Sequence, residues 1–187
     1  MPAPTTTLGH VLLGLLHQAP RSGYDLRKIV VSTPMSLFSD SPGAIYPALR
    51  SLQKAGLIVV EHAARGGRRR STFVPSAKGR SSFVAWLRQP PTHDDVTRDW
   101  PLMMLRLAFM DGLVTPADIT AFLTRLTLEI DAHVLELEAF VAQHRAVLPP
   151  AARLALESGI HDARSRSTWL RRARRQTAAS RQTRRSA

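Results

Sequence analysis

Gly43-Ala44-Ile45-Tyr46-Pro47-Ala48-Leu49-Arg50-Ser51-Leu52-Gln53-Lys54-Ala55-Gly56-Leu57-Ile58 is the stretch on which the fold turns. Ile45, Leu49 and Leu52 recur at helical spacing and form an apolar stripe, while Tyr46, Arg50, Gln53 and Lys54, three and four apart, form a polar face. Gly56 stands where a C-terminal cap belongs. Pro47 has no N–H to give, so the helix must begin close to Gly43 to Tyr46. The polar face has the chemistry of a major-groove reader. Arg50 can reach guanine or phosphate, Gln53 can pair with adenine, and Tyr46 can donate to a phosphate oxygen.

The flanks complete a recognisable set of parts. Before this helix, Thr5 to Thr7 cap a first helix whose apolar positions are Leu8, Val11, Leu12, Leu15 and Leu16, ending near Ala19-Pro20. Ser22 with Asp25 starts a second helix with Leu26, Ile29 and Val30 inward, closed by Thr33-Pro34. A Ser- and Pro-rich loop, Ser36 to Pro42, leads to the third. After it, Leu57 to Glu61 and Ser71 to Val74 read as two short strands around a Gly66-Gly67 turn. Their tip, Arg65-Gly66-Gly67-Arg68-Arg69-Arg70, gathers guanidinium groups suited to a phosphate backbone or a narrow minor groove, with no acidic residue nearby after Glu61. A fourth helix runs from Ser76 to about Arg88, and Gln89-Pro90-Pro91 marks a boundary. Three short helices and a hairpin that carry positive charge are the components of a winged helix-turn-helix.

The second half is helical throughout. Trp100 to Met110 is almost wholly apolar and must be buried on most sides. Thr115-Pro116 followed by Asp118 opens a long helix to about Ala146, along which Ile119, Leu123, Leu126, Ile130, His133, Leu137, Phe140 and His144 alternate steps of four and three. Such a seam packs on another helix, and Ile119, Leu123, Leu126, Ile130, Leu137 and Phe140 are the residues expected to dimerise. Beyond Pro149-Pro150 a last helix carries Leu156, Ile160, Trp169 and Leu170. The remaining Arg-rich stretch is expected to be disordered. The expected fold class is mainly α: a winged helix-turn-helix with a two-stranded wing over residues 1–89, an all-helical dimerisation and effector domain over 90–172, and a basic tail over 173–187. Trp100, Met103, Met104, Phe109 and Trp169 are the candidates for an effector cavity, because aromatic and thioether groups suit planar organic ligands.

Charge and composition point the same way. The 187-residue chain has a formal net charge of +12 and no cysteine. A disulfide framework, a thiolate zinc site and a Cys nucleophile are therefore excluded. Residues 1–89 hold 12 Lys and Arg against 3 Asp and Glu, residues 90–170 hold 7 against 11, and residues 171–187 hold 7 against none. The positive field sits on the first half and the tail, as for a polyanion partner. The first apolar run, Val11 to Leu16, is too short to span a bilayer and has no charged leader before it, so a cytoplasmic, nucleoid-associated protein without a membrane partner is expected. The seven histidines, at 10, 17, 62, 93, 133, 144 and 161, form no pair at metal-ligand spacing along the chain, and no phosphate-cradling loop or catalytic motif is present. No metal, no cofactor and no enzymatic activity are expected.

Taken together, Ser22-Gly23-Tyr24-Asp25-Leu26, the stretch Gly43 to Ile58, Arg70-x-x-Phe73 and Lys78-Gly79-Arg80 resemble the PadR family of bacterial regulators. Ile45-Tyr46-Pro47-Ala48-Leu49 is the most specific element. The resemblance is close over residues 8–88 and looser beyond. It implies a repressor that binds pseudo-palindromic operator DNA as a homodimer and leaves it when a small aromatic molecule or a stress signal acts. With it, the DNA-contacting set becomes Tyr24, Ser41, Gly43, Ala44, Tyr46, Pro47, Arg50, Gln53, Lys54, Arg65, Arg68, Arg69 and Arg70. Ala44 departs from the Ser or Thr usual in the family, Pro75 from Leu, and Ser76 from Thr. Pro75 suggests a strand that ends early. Two other readings fit the same residues: a sequence-independent architectural or RNA-binding winged helix, and a helical interaction protein whose charge is incidental.

Overall fold

The structure is a computed structural model that describes residues 5–39, 41–65 and 68–185, with side chains for all of these except 42, 62–65, 68–70 and 178–185. The chain divides into two compact units, Met1–Trp86 and Leu87–Ala187.

The first unit is a winged helix-turn-helix. Helix α1 (Thr7–Gln18) starts where the Thr6 hydroxyl accepts the Gly9 N–H at 3.1 Å and buries Val11, Leu12, Leu13, Leu15 and Leu16. Helix α2 (Gly23–Ser32) opens on a capping box in which Ser22 Oγ and Asp25 Oδ2 lie 2.6 Å apart. It buries Leu26 and Val30, with Ile29 only half covered. Two 3-10 turns, Pro34–Phe38 and Pro42–Ala44, lead to α3 (Ile45–Lys54). Strands β1 (Ile58–Arg65) and β2 (Arg68–Pro75) pair antiparallel with Ile58 opposite Pro75. Pro75 is thus the last paired residue and does not shorten the strand. A one-residue third strand, too short to leave a pattern in the sequence, completes the wing: Arg21 exchanges backbone hydrogen bonds with Phe73 at 3.3 and 2.8 Å and ties the start of α2 to the wing.

Two glycines fix how α3 ends and what it meets. Gly56 has φ +70°, and around it the Gly56 N–H reaches Gln53 O and the Leu57 N–H reaches Leu52 O, both at 2.9 Å. This is a Schellman cap, with Leu52 and Leu57 buried beside it. Helix α4 (Ala77–Arg88) then crosses so closely that a Cβ on Gly79 would stand 1.9 Å from the Leu57 carbonyl oxygen. The residues around Gly79 hold the same joint. Ser76 Oγ donates to Gly56 O at 2.6 Å and accepts the Gly79 N–H at 2.9 Å, while Lys78 Nζ donates to Ala55 O at 2.7 Å. Ser76 thereby supplies the hydroxyl at this helix start.

The second unit holds α5 (His93–Arg98), α6 (Trp100–Met110), α7 (Pro116–His144) and α8 (Pro150–Arg185). Capping boxes Thr92/Asp95 and Thr115/Asp118 start α5 and α7. The short α5, only six residues long, carries too little periodicity to be expected from the sequence. Helices α7 and α8 run antiparallel, joined by Ser167 Oγ to Asp131 Oδ1 at 2.5 Å, Arg171 to Asp131 Oδ2 at 2.6 Å, and Arg164 to Glu138 at 2.7 Å. Ile160, Ala163 and Leu170 of α8 are buried, as are Phe122, Leu123, Leu126, Ile130 and Val134 of α7. Helix α8 continues to Arg185, whereas the sequence reading expects disorder from residue 173. Once a packed stretch has supplied the nucleus, adding Ala, Arg and Gln residues to the helix is favourable.

At the head of this unit the apparent linker is clamped. Arg106, 3% exposed, donates to the backbone oxygens of Leu87 at 3.4 Å and Gln89, and its guanidinium lies 4.9 Å from the Phe122 ring centre. Burial lowers its pKa, and Asp95 acts in the opposite sense. Arg125 donates to Pro91 O at 3.3 Å.

Candidate nucleic-acid interface

Helix α3 separates its two faces cleanly. Ile45, Leu49 and Leu52 are at most 4% exposed, and Tyr46, Pro47, Arg50, Ser51, Gln53 and Lys54 are all exposed. At 3.6 residues per turn these exposed positions form one arc, from Gln53 through Tyr46, Arg50 and Lys54 to Ser51. The buried stripe fixes the helix in rotation, so the arc is presented to solvent by packing alone.

Tyr46 is held by a close helix approach. A Cβ on Gly23 would lie 2.8 Å from Tyr46 Cε1, so only glycine at the head of α2 leaves room for that ring. The ring rests on α2 and Tyr46 remains 45% exposed. Tyr24, 64% exposed, stands on the same turn of α2. Arg27 and Lys28, one turn further on, are also exposed and were missed by the sequence reading. Their spacing of three and four from Tyr24 is the signal that could have found them. At the other end, Ser41 and Gly43 are exposed and Ala44 is half buried. Ala44 gives α3 no side-chain cap; its own backbone is helical, so α3 continues directly from the 3-10 turn Pro42–Ala44. The side chains of Arg65, Arg68, Arg69 and Arg70 lie outside the described residues.

The effector candidates do not come together as one set. Met103 and Phe109 are core residues, 1% and 4% exposed, and Met104 is half buried. Trp100 and Trp169 do meet, edge to face at 6.5 Å between ring centres, with Arg166 stacked 4.9 Å from the Trp100 centre. The depression beside Trp169, about 420 Å³, is open and bordered by Arg164, Thr168 and Arg172. None of the other four aromatic or methionine candidates lines it.

The dimerisation candidates divide as well. Leu123, Leu126 and Ile130 are at most 1% exposed within the chain itself, Ile119 and Leu137 are half buried, and Phe140 is 45% exposed. The first part of the seam is satisfied inside its own unit, which the heptad pattern alone could not distinguish from a partner helix. Leu128 and Leu135, two turns apart and 57% and 66% exposed, form the outward apolar stripe instead.

Most described histidines are structural. His17 stacks on Phe83 and holds Leu13 O at 2.7 Å from Nδ1, and burial keeps its pKa below the usual histidine range. His10 stacks on Trp86, and His144 on Phe140. His93 and His133 are forty residues apart and so make no metal-ligand spacing along the chain, yet in space they converge with Glu136.

Residues 12–85 match the model of the transcriptional regulator PadR-like family. No curated protein matches the chain. Among solved structures, it is similar to Bacillus subtilis PadR in complex with operator DNA, at 19% identity and a TM-score of 0.43 over 94% of this chain and 99% of that one. The same protein in complex with p-coumaric acid gives 19% and 0.43, over 95% and 99%. The PadR-like transcriptional regulator BC1756 from Bacillus cereus gives 24% and 0.41, over 92% and 99%. Among the described residues no helix is long and apolar enough to cross a membrane. The family match thus lies within the winged helix-turn-helix unit, and the family it names is one of transcriptional regulators.

Proposed function

We propose that the protein is a cytoplasmic repressor that binds a pseudo-palindromic operator as a homodimer, reads bases with α3, and is released by a small aromatic effector or a stress signal. The observation that carries the reading is the rotationally fixed arc of Tyr46, Arg50, Gln53 and Lys54 on a helix whose opposite face is fully buried. Arg50 and Gln53 serve on it as base readers, while Tyr46, Tyr24, Arg27 and Lys28 hold phosphates. Ser41, Gly43 and Pro47 border the start of α3, and the wing arginines reach the adjacent backbone or minor groove.

Two-fold binding needs a dimer, and Leu128, Leu135 and Phe140 are apolar positions of α7 left outward for it. For an effector, the Trp100–Trp169 pair with Arg166 offers aromatic faces and a cation, which suits a planar carboxylate. The experiment is a footprint on the promoter of the protein's own gene and on random duplex at matched salt. A two-fold protected site is expected; uniform protection of any duplex would instead favour the architectural reading, in which the Arg-rich end of α8 and the wing act through charge alone.

A further inference from the structure

We propose that His93, His133 and Glu136 form a binding site for a borderline divalent cation, with Zn²⁺ the best match. His93 opens α5, and His133 and Glu136 lie one turn apart on α7. Their ligand atoms all lie within 4.8 Å of one another, with Glu136 Oε2 at 3.3 Å from His93 Nε2 and 3.8 Å from His133 Nδ1. A tetrahedral site with metal–ligand bonds near 2.1 Å places its ligand atoms about 3.4 Å apart. Small side-chain rotations therefore close the set. Two imidazoles and one carboxylate are the donors preferred by Zn²⁺ and its first-row neighbours over Mg²⁺ or Ca²⁺.

The surroundings support a built site. His93 directs Nε2 at Glu136 and Nδ1 at Glu129, whose Oε2 is 4.0 Å away. Glu129 is itself mostly buried and paired with Arg125, which also holds Pro91 O. A carboxylate behind the free ring nitrogen is the usual orienting partner of a metal-binding histidine, fixing its tautomer and raising its basicity. Glu136 is 61% exposed, which gives an ion an entry path and leaves the fourth position to water. Such a cation would staple α5 to α7 and so bind the head of the second unit to the middle of that long helix. None of its ligands belongs to the set assigned to DNA, so the site stands or falls independently of that assignment.

The test uses the full chain, stripped with a chelator and titrated calorimetrically with ZnCl₂ alone, with Co²⁺ as an optical probe. One Zn²⁺ per chain at micromolar affinity or tighter is expected, together with the visible absorption of tetrahedral Co²⁺ and a raised Tm at saturating zinc. His93→Ala and His133→Gln should each weaken binding at least tenfold and abolish the Co²⁺ band, while Glu129→Gln weakens it by about tenfold through positioning. Circular dichroism checks that each variant is folded. Absence of zinc binding in the folded wild type, or unchanged affinity in both histidine variants, overturns the assignment.

Discussion

Replacing Gly79 with Ala tests the joint between α3, the wing and α4. At an unencumbered helical position this change stabilises by about 1 kcal/mol, because alanine has less backbone freedom to lose. Here the new Cβ would lie 1.9 Å from Leu57 O and 2.8 Å from its carbonyl carbon. Real contacts of this kind stay beyond 3.0 Å, so α4 and the α3 cap must part by about 1 Å. That movement breaks the Ser76 N–H to Leu57 O bond, now 3.0 Å, and strains Ser76 Oγ and Lys78 on Gly56 and Ala55. Overpacking costs about 1–3 kcal/mol and the lost hydrogen bond about 1, against the gain of about 1. The net expectation is a loss of about 1–3 kcal/mol. Gly159, in α8, is the control: a Cβ there meets nothing within 4 Å, so Gly159→Ala should stabilise by about 1 kcal/mol. Urea unfolding followed by circular dichroism compares the two, with operator affinity measured in parallel. If Gly79→Ala stabilises as much as Gly159→Ala, the close approach and the joint built on it are refuted.

Other outcomes follow from the same geometry. Arg50→Ala should cost about 1–3 kcal/mol at the operator and relax preference at one base per half-site; equal losses on operator and random duplex would show that Arg50 only holds the backbone. Leu135→Glu should give a folded monomer in sedimentation with weakened operator affinity, whereas Ile130→Ala, in the core, should lose about 2–5 kcal/mol of stability. A Leu135→Glu variant that sediments as a dimer moves the interface elsewhere. Because burial depresses the folded-state pKa of His17, its contribution to stability is complete above about pH 6.5 and declines as the pH falls below it. Thermal melts between about pH 7.5 and pH 5.5 should show this decline, and His17→Gln should flatten it; an unchanged slope would point to another group.

What the chain discloses by itself divides along physical lines. Caps and turns are local chemistry, so Ser22/Asp25, Thr115/Asp118 and Gly56 could be placed from sequence and stand where expected. The two faces of α3 follow from its own periodicity in the same way. Periodicity does not say who supplies the other side of a seam, and Leu123, Leu126 and Ile130 turn out to be covered within the chain. The contact between His93 and His133 was invisible for a related reason: it depends on a short helix, α5, that carries too little periodic signal to be read. Met103 and Phe109, offered as cavity residues, are apolar types that serve equally well as core, and only packing decides between the two.

The Arg106 clamp has a consequence for how this protein can vary over time. Its acceptors at Leu87 and Gln89 are main-chain oxygens, which every amino acid carries. Position 89, exposed, is therefore free to drift, and position 87 is restricted only to apolar residues by its burial. The demand falls wholly on residue 106, whose Nη2 donates to both carbonyls while the guanidinium plane lies over the Phe122 ring, a planar surface that lysine lacks. Lineages descended from this chain should vary residue 89 while retaining arginine at 106, so the durable record of this junction lies not in the junction itself but on α6.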